Sequence, residues 1–369
     1  MKIVVALDKF KGSLTAPDAC EIVRRELLRV RPDAHIVIKP MADGGDGTAD
    51  ALHAALGGEW ITKQITGPLP QIPSSARYLW LADERRAFIE MAQASGLVLV
   101  PPEQRNPLLT TTYGTGELIA DAIQRGAQRL WLTVGGSATT DGGIGTAAAL
   151  GWQFLDADGK PVQPIGGELQ KIATLRAPRS LLPSLEVLCD VDNPLCGEHG
   201  AARVFGPQKG ATPAMVEQLD AGLRHLAALV KTQLGKDILD VPGAGAAGGL
   251  AAGAIAFLNA RLVPGIETVM RASRLAEELA DADWVVTGEG RFDAQSLRGK
   301  VVSGVASLAR RTGAKVAVIA GSVELPETEW RQAGVATVRA LKPPTMNTDE
   351  AMARAKELLA AAARALPIQ

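Results

Sequence analysis

The sequence predicts an α/β fold with two domains, in which both chain ends build one parallel-sheet domain and a middle segment is inserted as a second α/β domain with a mixed sheet. Three observations carry this. First, "KIVVAL" (2–7), a helical stretch from Thr15 and "HIVIK" (35–39) follow one another as strand, helix and strand, which a right-handed crossover joins into neighbouring parallel strands. Second, the same rhythm returns late in the chain, where "DWVVTGEG" and "AKVAVIAGSV" are apolar runs ending in glycine-rich turns, each followed by a helical pattern. Third, the texture changes after "TGPLPQIP" (66–73), where "RYLWLA" and "RAFIEM" flank "DERR" as an antiparallel hairpin would. The expected division is therefore 1–70 plus 262–369 for the discontinuous domain and 71–261 for the insertion.

In the first unit, Pro17 and Asp18 fall in the first turn of a helix begun by Thr15, and Ile22, Val23, Leu27 and Val30 form its apolar face. Ligands in such sheets collect at the carboxyl ends of strands. Both "ALDKFKGS" and "MADGGDGTAD" (41–50) occupy that edge. Gly44, Gly45 and Gly47 permit the sharp turn, bringing Asp43 and Asp46 toward a ligand, whereas Asp50 falls inside the next helix. The Ala-rich tail 351–365 reads as a terminal helix.

Bulk composition narrows the function classes. The 369 residues are 47 % hydrophobic, enough for the cores of two domains. With 39 Lys+Arg against 40 Asp+Glu, the formal charge of −1 provides no field for nucleic acid or anionic lipid, so neither is an expected partner. Cys20, Cys189 and Cys196 make no disulfide framework, and a reducing cytoplasm is the expected compartment. The uncharged stretch 241–260 contains Pro242 and is dominated by Gly and Ala, unlike a membrane helix. Nothing in the pattern sets the oligomeric state, which leaves room for a homodimer.

Several loops carry candidate chemistry. "VGGSATTDGGIGTAAALG" follows a strand and precedes an Ala-rich helix, so its amides and the helix terminus suit a phosphate, although a packing turn would also explain the glycines. In "TTTYGTGELIADAI" (110–123) the threonines can donate hydroxyls, but N-capping explains most of them. "GAGAAGG" (243–249) matches G-x-G-x-x-G without a preceding strand, a poor dinucleotide fingerprint, and no P-loop is present. Asp190, Asp192 and Asn193 could serve a hard cation or simply build a turn with Pro194. Cys189, Cys196 and His199 lack a fourth zinc partner at usual spacing. "VVTGEGRFDAQSLRGK" (285–300) adds Glu289, Arg291, Asp293 and Lys300 beside a strand end, as a polar site or as ion-pair partners.

Taken together, "ALDKFKGSLTA", "MADGGDGTADAL", "RNPLLTTTYGTGELI", "TVGGSATTDGG", "LCDVDNPLCG", "FGPQKGA", "GAGAAGGL" and "VVTGEGRFDAQSLRGK" resemble the bacterial glycerate kinase family that lacks a P-loop, in order from residue 1 to about 340. The resemblance implies a Rossmann-like discontinuous domain, an inserted domain and an active site in a cleft between them. It also implies transfer of the γ-phosphoryl group of ATP to D-glycerate with Mg²⁺, giving 2-phosphoglycerate. On that basis Lys9 or Lys11 would meet the glycerate carboxylate with Arg105, and Asp8, Ser13, Gly44 and Gly45 would line the substrate site. Asp190 is the first choice for proton acceptor or Mg²⁺ ligand, with Asp192 in the metal set and Asp43 and Asp46 as alternative acids. Gly135, Gly136, Ser137 and Thr139, with Gly114 and Thr115, would hold ATP, and Thr287, Gly288 and Glu289 would line the same site. A 3-phosphoglycerate-forming enzyme, a kinase of a related hydroxy acid, a binding-only sensor and an NAD-dependent dehydrogenase are the competing readings.

Overall fold

A computed structural model describes residues 1–179, 182–297 and 299–368. The chain divides into two compact units, 1–57 with 264–369 and 58–263. The first contains β1 (Lys2–Leu7), β2 (His35–Ile38), β11 (Trp284–Phe292), β12 (Lys315–Val323) and β13 (Val335–Ala340). They form one all-parallel sheet in the order β13-β12-β11-β1-β2. Its central strands carry apolar runs, 3–7, 284–286 and 316–320, because helices cover such a sheet on both faces.

Thr15 caps the helix Ala16–Val30, its hydroxyl oxygen accepting from the Asp18 amide at 3.2 Å. Val23 and Leu27 of that helix pack with Ile3, Val5 and Leu7 of β1 and with Leu359 and Ala363 of the helix Ala355–Arg364. Buried Glu26 receives the Arg364 guanidinium at 2.6 Å, tying the last helix to the first. The tail is two helices, Thr348–Ala353 and Ala355–Arg364, where the sequence suggested one.

The second unit holds β3 (Glu59–Thr66), β4 (Pro73–Leu81), β5 (Arg86–Glu90), β6 (Arg129–Thr133), β9 (Ser184–Leu188) and β10 (Arg261–Val263) in a mixed sheet ordered β10-β9-β6-β5-β4-β3. The strands β4 and β5 are the antiparallel hairpin expected from the flanks of "DERR", and β5, β6, β9 and β10 run parallel. A small antiparallel pair, β7 (Gln153–Leu155) and β8 (Thr174–Arg176), stands apart. Residues 58–70, expected in the first unit, belong here because β3 pairs with β4 along its whole length. Residues 262 and 263 join them, since β10 pairs with β9. Among the described residues, no helix is long and apolar enough to cross a membrane.

Candidate active site

In the first unit β1 leads through its helix to β2 on one side, and β11 leads to β12 on the other. The crevice outside the carboxyl ends of β1 and β11 is therefore the topological switch point, where open α/β sheets bind ligands. One residue beyond the paired register Leu7–Gly288, these strands present Asp8 and Glu289. The Asp8 amide donates to the Gly288 carbonyl at 2.8 Å, which fixes the alignment. Ile3, Val5 and Leu7 face the helices named above, so alternation puts Asp8 on the opposite face of the sheet, with Thr287 and Glu289 of β11.

These three side chains are buried, and among the described residues both Thr287 Oγ1 and Glu289 Oε1 lack a hydrogen-bond partner. Burial pushes the Asp8 carboxyl up to about 7, reinforced by the negative charges of Asp43 and Glu289 and opposed by Lys9. Burial likewise pushes Glu289 up to about 7, with the Ser296 hydroxyl and Lys300 opposing and Asp43 and Asp293 adding to the shift. A pair of buried carboxyls poised near neutrality is a signature of proton-transfer sites.

The loop after β2 supplies the rest of this edge. Asp43 is half-buried and its Oδ1 accepts from the Gly45 amide at 3.1 Å. A Cβ on Gly45 would lie 3.0 Å from Asp43 Oδ1 and 3.6 Å from Lys9 Nζ, so the acid and the amine converge on that glycine. The Lys9 ammonium donates to the Asp46 carbonyl, while the Asp46 carboxylate is exposed. Asp50 lies in the first turn of the helix Thr48–Leu56. Lys11 is exposed, and Ser13 Oγ donates to the Phe10 carbonyl at 3.0 Å. Gly288 is demanded by packing, since a Cβ there would meet the Ile319 carbonyl oxygen at 1.8 Å.

The second unit has its own buried polar network around "GGSATTDGG". Asp141, fully buried, accepts from the Thr112 amide and hydroxyl, both at 2.8 Å, and from the amides of Gly143 at 3.1 Å and Gly145 at 3.3 Å. Burial raises its carboxyl, and those four donors oppose the shift. This corrects two expectations. The amides of Gly143 and Gly145 serve Asp141 rather than a phosphate, and the helix they enter, Ile144–Ala149, has only six residues. Only Thr111 serves the start of the helix Tyr113–Gln124, its Oγ1 accepting from the Tyr113 amide at 3.2 Å: Thr112 makes no capping bond, Thr110 Oγ1 donates to the Ala138 carbonyl, and the Thr115 hydroxyl pairs with Ser95.

What remains open in this loop lies upstream. Gly135 and Gly136 are accessible, Ser137 is buried, and among the described residues the buried hydroxyls of Thr139 and Thr140 lack hydrogen-bond partners. Lys209 enters from the following segment, with Nζ 2.8 Å from Ser137 Oγ and 2.6 Å from the Thr139 carbonyl oxygen. Gly210 beside it packs on Arg105, where a Cβ would meet the Arg105 carbonyl oxygen at 2.4 Å. Half-buried Arg105 donates through Nε to the Val100 carbonyl at 3.4 Å.

Other candidates resolve into packing. Gly114, expected at the nucleotide, would place a Cβ 2.0 Å from the Thr66 carbonyl oxygen, so it permits its helix to lie against β3. In "GAGAAGG" the residues Ala247, Gly248 and Gly249 are left-handed (φ 52°, 65° and 87°), and the Gly142 amide donates to the Gly248 carbonyl. The motif docks one buried segment on another and does not open a dinucleotide-binding helix. Asp190 and Asp192 are exposed beyond β9. Among the described residues, no three His, Cys, Asp or Glu side chains are grouped to hold a metal, and Cys189 and Cys196 donate instead to the carbonyls of Val191 and Asp220.

Comparison with known proteins fixes the family. The glycerate kinase family matches residues 3–367. This chain belongs to the glycerate kinase family. It is 46 % identical to the glycerate kinase of Halalkalibacterium halodurans, over 99 % of this chain and 97 % of that one. It is 44 % identical to the glycerate 2-kinase of Escherichia coli, over 99 % and 96 % of the two chains. A crystal structure described as a "putative glycerate kinase 2" from Salmonella typhimurium LT2 superposes with a TM-score of 0.87 at 43 % identity, covering 99 % of this chain and 96 % of that one.

For a member of the glycerate kinase family, three features of this arrangement were not assigned from sequence. Lys209 of "FGPQKGA" has no role legible in the sequence, because nothing local reveals that its amine is buried against Ser137. Asp141 was hidden among glycines, although an acid two and four residues ahead of amides entering a helix is a recognisable local acceptor. Glu289 was read as a nucleotide contact; its alignment with Asp8 across the sheet emerges only from the strand register.

Proposed function

We propose that this chain transfers the γ-phosphoryl group of ATP to the 2-hydroxyl of D-glycerate, with Mg²⁺, to give 2-phosphoglycerate in organic-acid catabolism. The observation that carries this reading is the cluster at the carboxyl edge of the first sheet, where Asp8, Lys9, Asp43 and Glu289 gather acids and an amine as a small hydroxy acid requires. The 44 % identity to a protein named glycerate 2-kinase favours the 2-hydroxyl. Lys9 and Lys11, with Arg105, are assigned to the substrate carboxylate. Gly135, Gly136, Ser137 and Thr139 are assigned to the ATP phosphates, with Lys209 holding Ser137 in place.

Phosphoryl transfer relies on in-line positioning and on neutralising charge over the transferring group, with little covalent help. Asp190 and Asp192, exposed and followed by Asn193, are the hard oxygen ligands assigned to Mg²⁺. Mg²⁺ keeps several waters and takes only one or two carboxylates beside phosphate oxygens, so a cage of three protein ligands is not required. When bound, the ion would screen the phosphate charges.

The test is turnover of D-glycerate by the purified protein with ATP and Mg²⁺, followed by phosphorus NMR of the product. 2-Phosphoglycerate is expected. Formation of 3-phosphoglycerate would overturn the regiochemistry, and no turnover would overturn the reading as a whole.

A further inference from the structure

Asp8 and Glu289 meet conditions that few surface carboxylates do. They extend from adjacent parallel strands one residue past the register Leu7–Gly288, on the same face of the sheet and at its topological switch point. Each is 7 % exposed, and among the described residues Glu289 Oε1 has no hydrogen-bond partner and the neighbouring Thr287 hydroxyl on that face has none either. A fold that buries two acids side by side, with polar atoms left unsatisfied, has kept them for a ligand.

We propose that Asp8 and Glu289 hold one proton between them and that this carboxyl pair accepts the proton leaving the glycerate hydroxyl. The inference rests on the glycerate kinase reading above and names the proton acceptor of that reaction. In the step, the substrate O–H bond breaks as the O–P bond forms, and the bond from the γ-phosphorus to the bridging oxygen breaks, its electron pair leaving with ADP. The hydroxyl proton passes to the ionised member of the pair, which then carries two protons and releases one to solvent after the product departs.

Like charges so close do not ionise together, so the pair titrates as a unit in two steps. Burial pushes each member up to about 7, where a general base is most effective. The charged and titratable neighbours are Asp43, Lys9, Asp293 and Lys300. The helix packed on β1 adds Cys20, a fully buried thiol pushed up to about 12 and hence neutral. The repulsion acts in the second step, so with one carboxyl replaced by a neutral amide the other should ionise at lower pH than the upper transition of the pair.

The experiment compares the pH profile of kcat/KM for D-glycerate, at saturating ATP and Mg²⁺, in the wild type, Asp8→Asn, Glu289→Gln and Glu289→Asp. The wild type should lose activity below an apparent pKa near 7. Both amide variants should lose about 10²-fold or more in kcat and keep a single carboxyl transition, about one pH unit or more below the upper transition of the wild-type pair, and Glu289→Asp should restore the second transition and most of the rate. A remaining carboxyl that ionises no lower than the upper wild-type transition in both amide variants overturns the proposal, even if the rate falls, because a packing defect lowers rate without moving that transition. Carboxyl ¹³C NMR of the unliganded wild type and variants reads these transitions independently of turnover: two coupled transitions near neutrality are expected for the wild type, and ordinary acidic values for both groups overturn the shared proton. No turnover by the wild type overturns the acceptor role together with the functional reading, and the NMR titration then shows whether the fault lies with the substrate or with the pair.

Discussion

Lys209 donates through Nζ to the hydroxyl oxygen of Ser137 at 2.8 Å while only 2 % of its surface is exposed. The Thr139 carbonyl accepts a second bond at 2.6 Å. A neutral amine has two N–H donors, matching these two acceptors, whereas an ammonium has a third. Burial lowers the amine from 10.5 to about 7, with the negative charge of Asp141 working in the other direction.

Stability should consequently rise with pH in this unit. The native value lies below the unfolded one, so between pH 7 and 10 the unfolded chain binds more protons, and raising the pH removes that advantage. Relative to Lys209→Met, the wild type should gain several degrees in Tm between pH 7 and 9.5 by calorimetry. Parallel curves for the two proteins would show that the native amine is not shifted.

The first unit should respond in the opposite direction. The Asp8 carboxyl is raised to about 7 in the folded chain, so the native state holds the extra proton between pH 4 and 7 and stability falls as pH rises through that window. Asp8→Asn should therefore be more stable than the wild type at pH 8, on the order of 1 kcal/mol, and catalytically poorer. A lower Tm for the variant at pH 8 would mean that the charged carboxylate has stabilising partners.

Asp141→Asn replaces one carboxylate oxygen by an N–H donor. The amide oxygen can serve the side bonded to Thr112 and Gly145, leaving its NH₂ against the Gly143 amide. Two opposed donors should cost about 1–3 kcal/mol, and Asp141→Ala, which strands all four donors, should cost more. Urea denaturation measures both; equal stability of Asp141→Ala and the wild type would deny the network a structural role.

Gly248 and Gly235 both have positive φ, 65° and 69°, but only Gly248 is crowded, with a Cβ 2.0 Å from the Thr139 carbonyl oxygen. Gly235→Ala should cost about 1–2 kcal/mol for the left-handed backbone alone. Gly248→Ala should cost at least about 2 kcal/mol more, because backbone must move to admit the methyl. Similar losses in the two variants would mean that the junction between Gly248 and Thr139 yields easily.

Two kinetic variants separate the assigned ligand roles. Lys11→Met should raise KM for glycerate about tenfold or more with little change for ATP, as loss of a carboxylate partner requires. Asp190→Asn should raise the Mg²⁺ concentration giving half-maximal rate by a similar factor. Unchanged values in steady-state assays would remove these residues from the substrate and metal sets.

The sequence alone determined the parallel sheet, the hairpin and the loops that carry charge, because those follow from short-range periodicity and from glycine at strand ends. It also carried the family, through ordered blocks such as "ALDKFKGSLTA" and "VVTGEGRFDAQSLRGK". Only the tertiary structure decided which loop atoms are already committed. The amides of Gly143 and Gly145 resembled a phosphate cradle in one dimension and proved to be partners of Asp141. Lys209 and Ser137 are 72 residues apart in the chain, and the alignment of Asp8 with Glu289 depends on which strand pairs with β1. Burial and strand register set the protonation of those groups, and both are properties of packed neighbours that no local stretch of sequence contains.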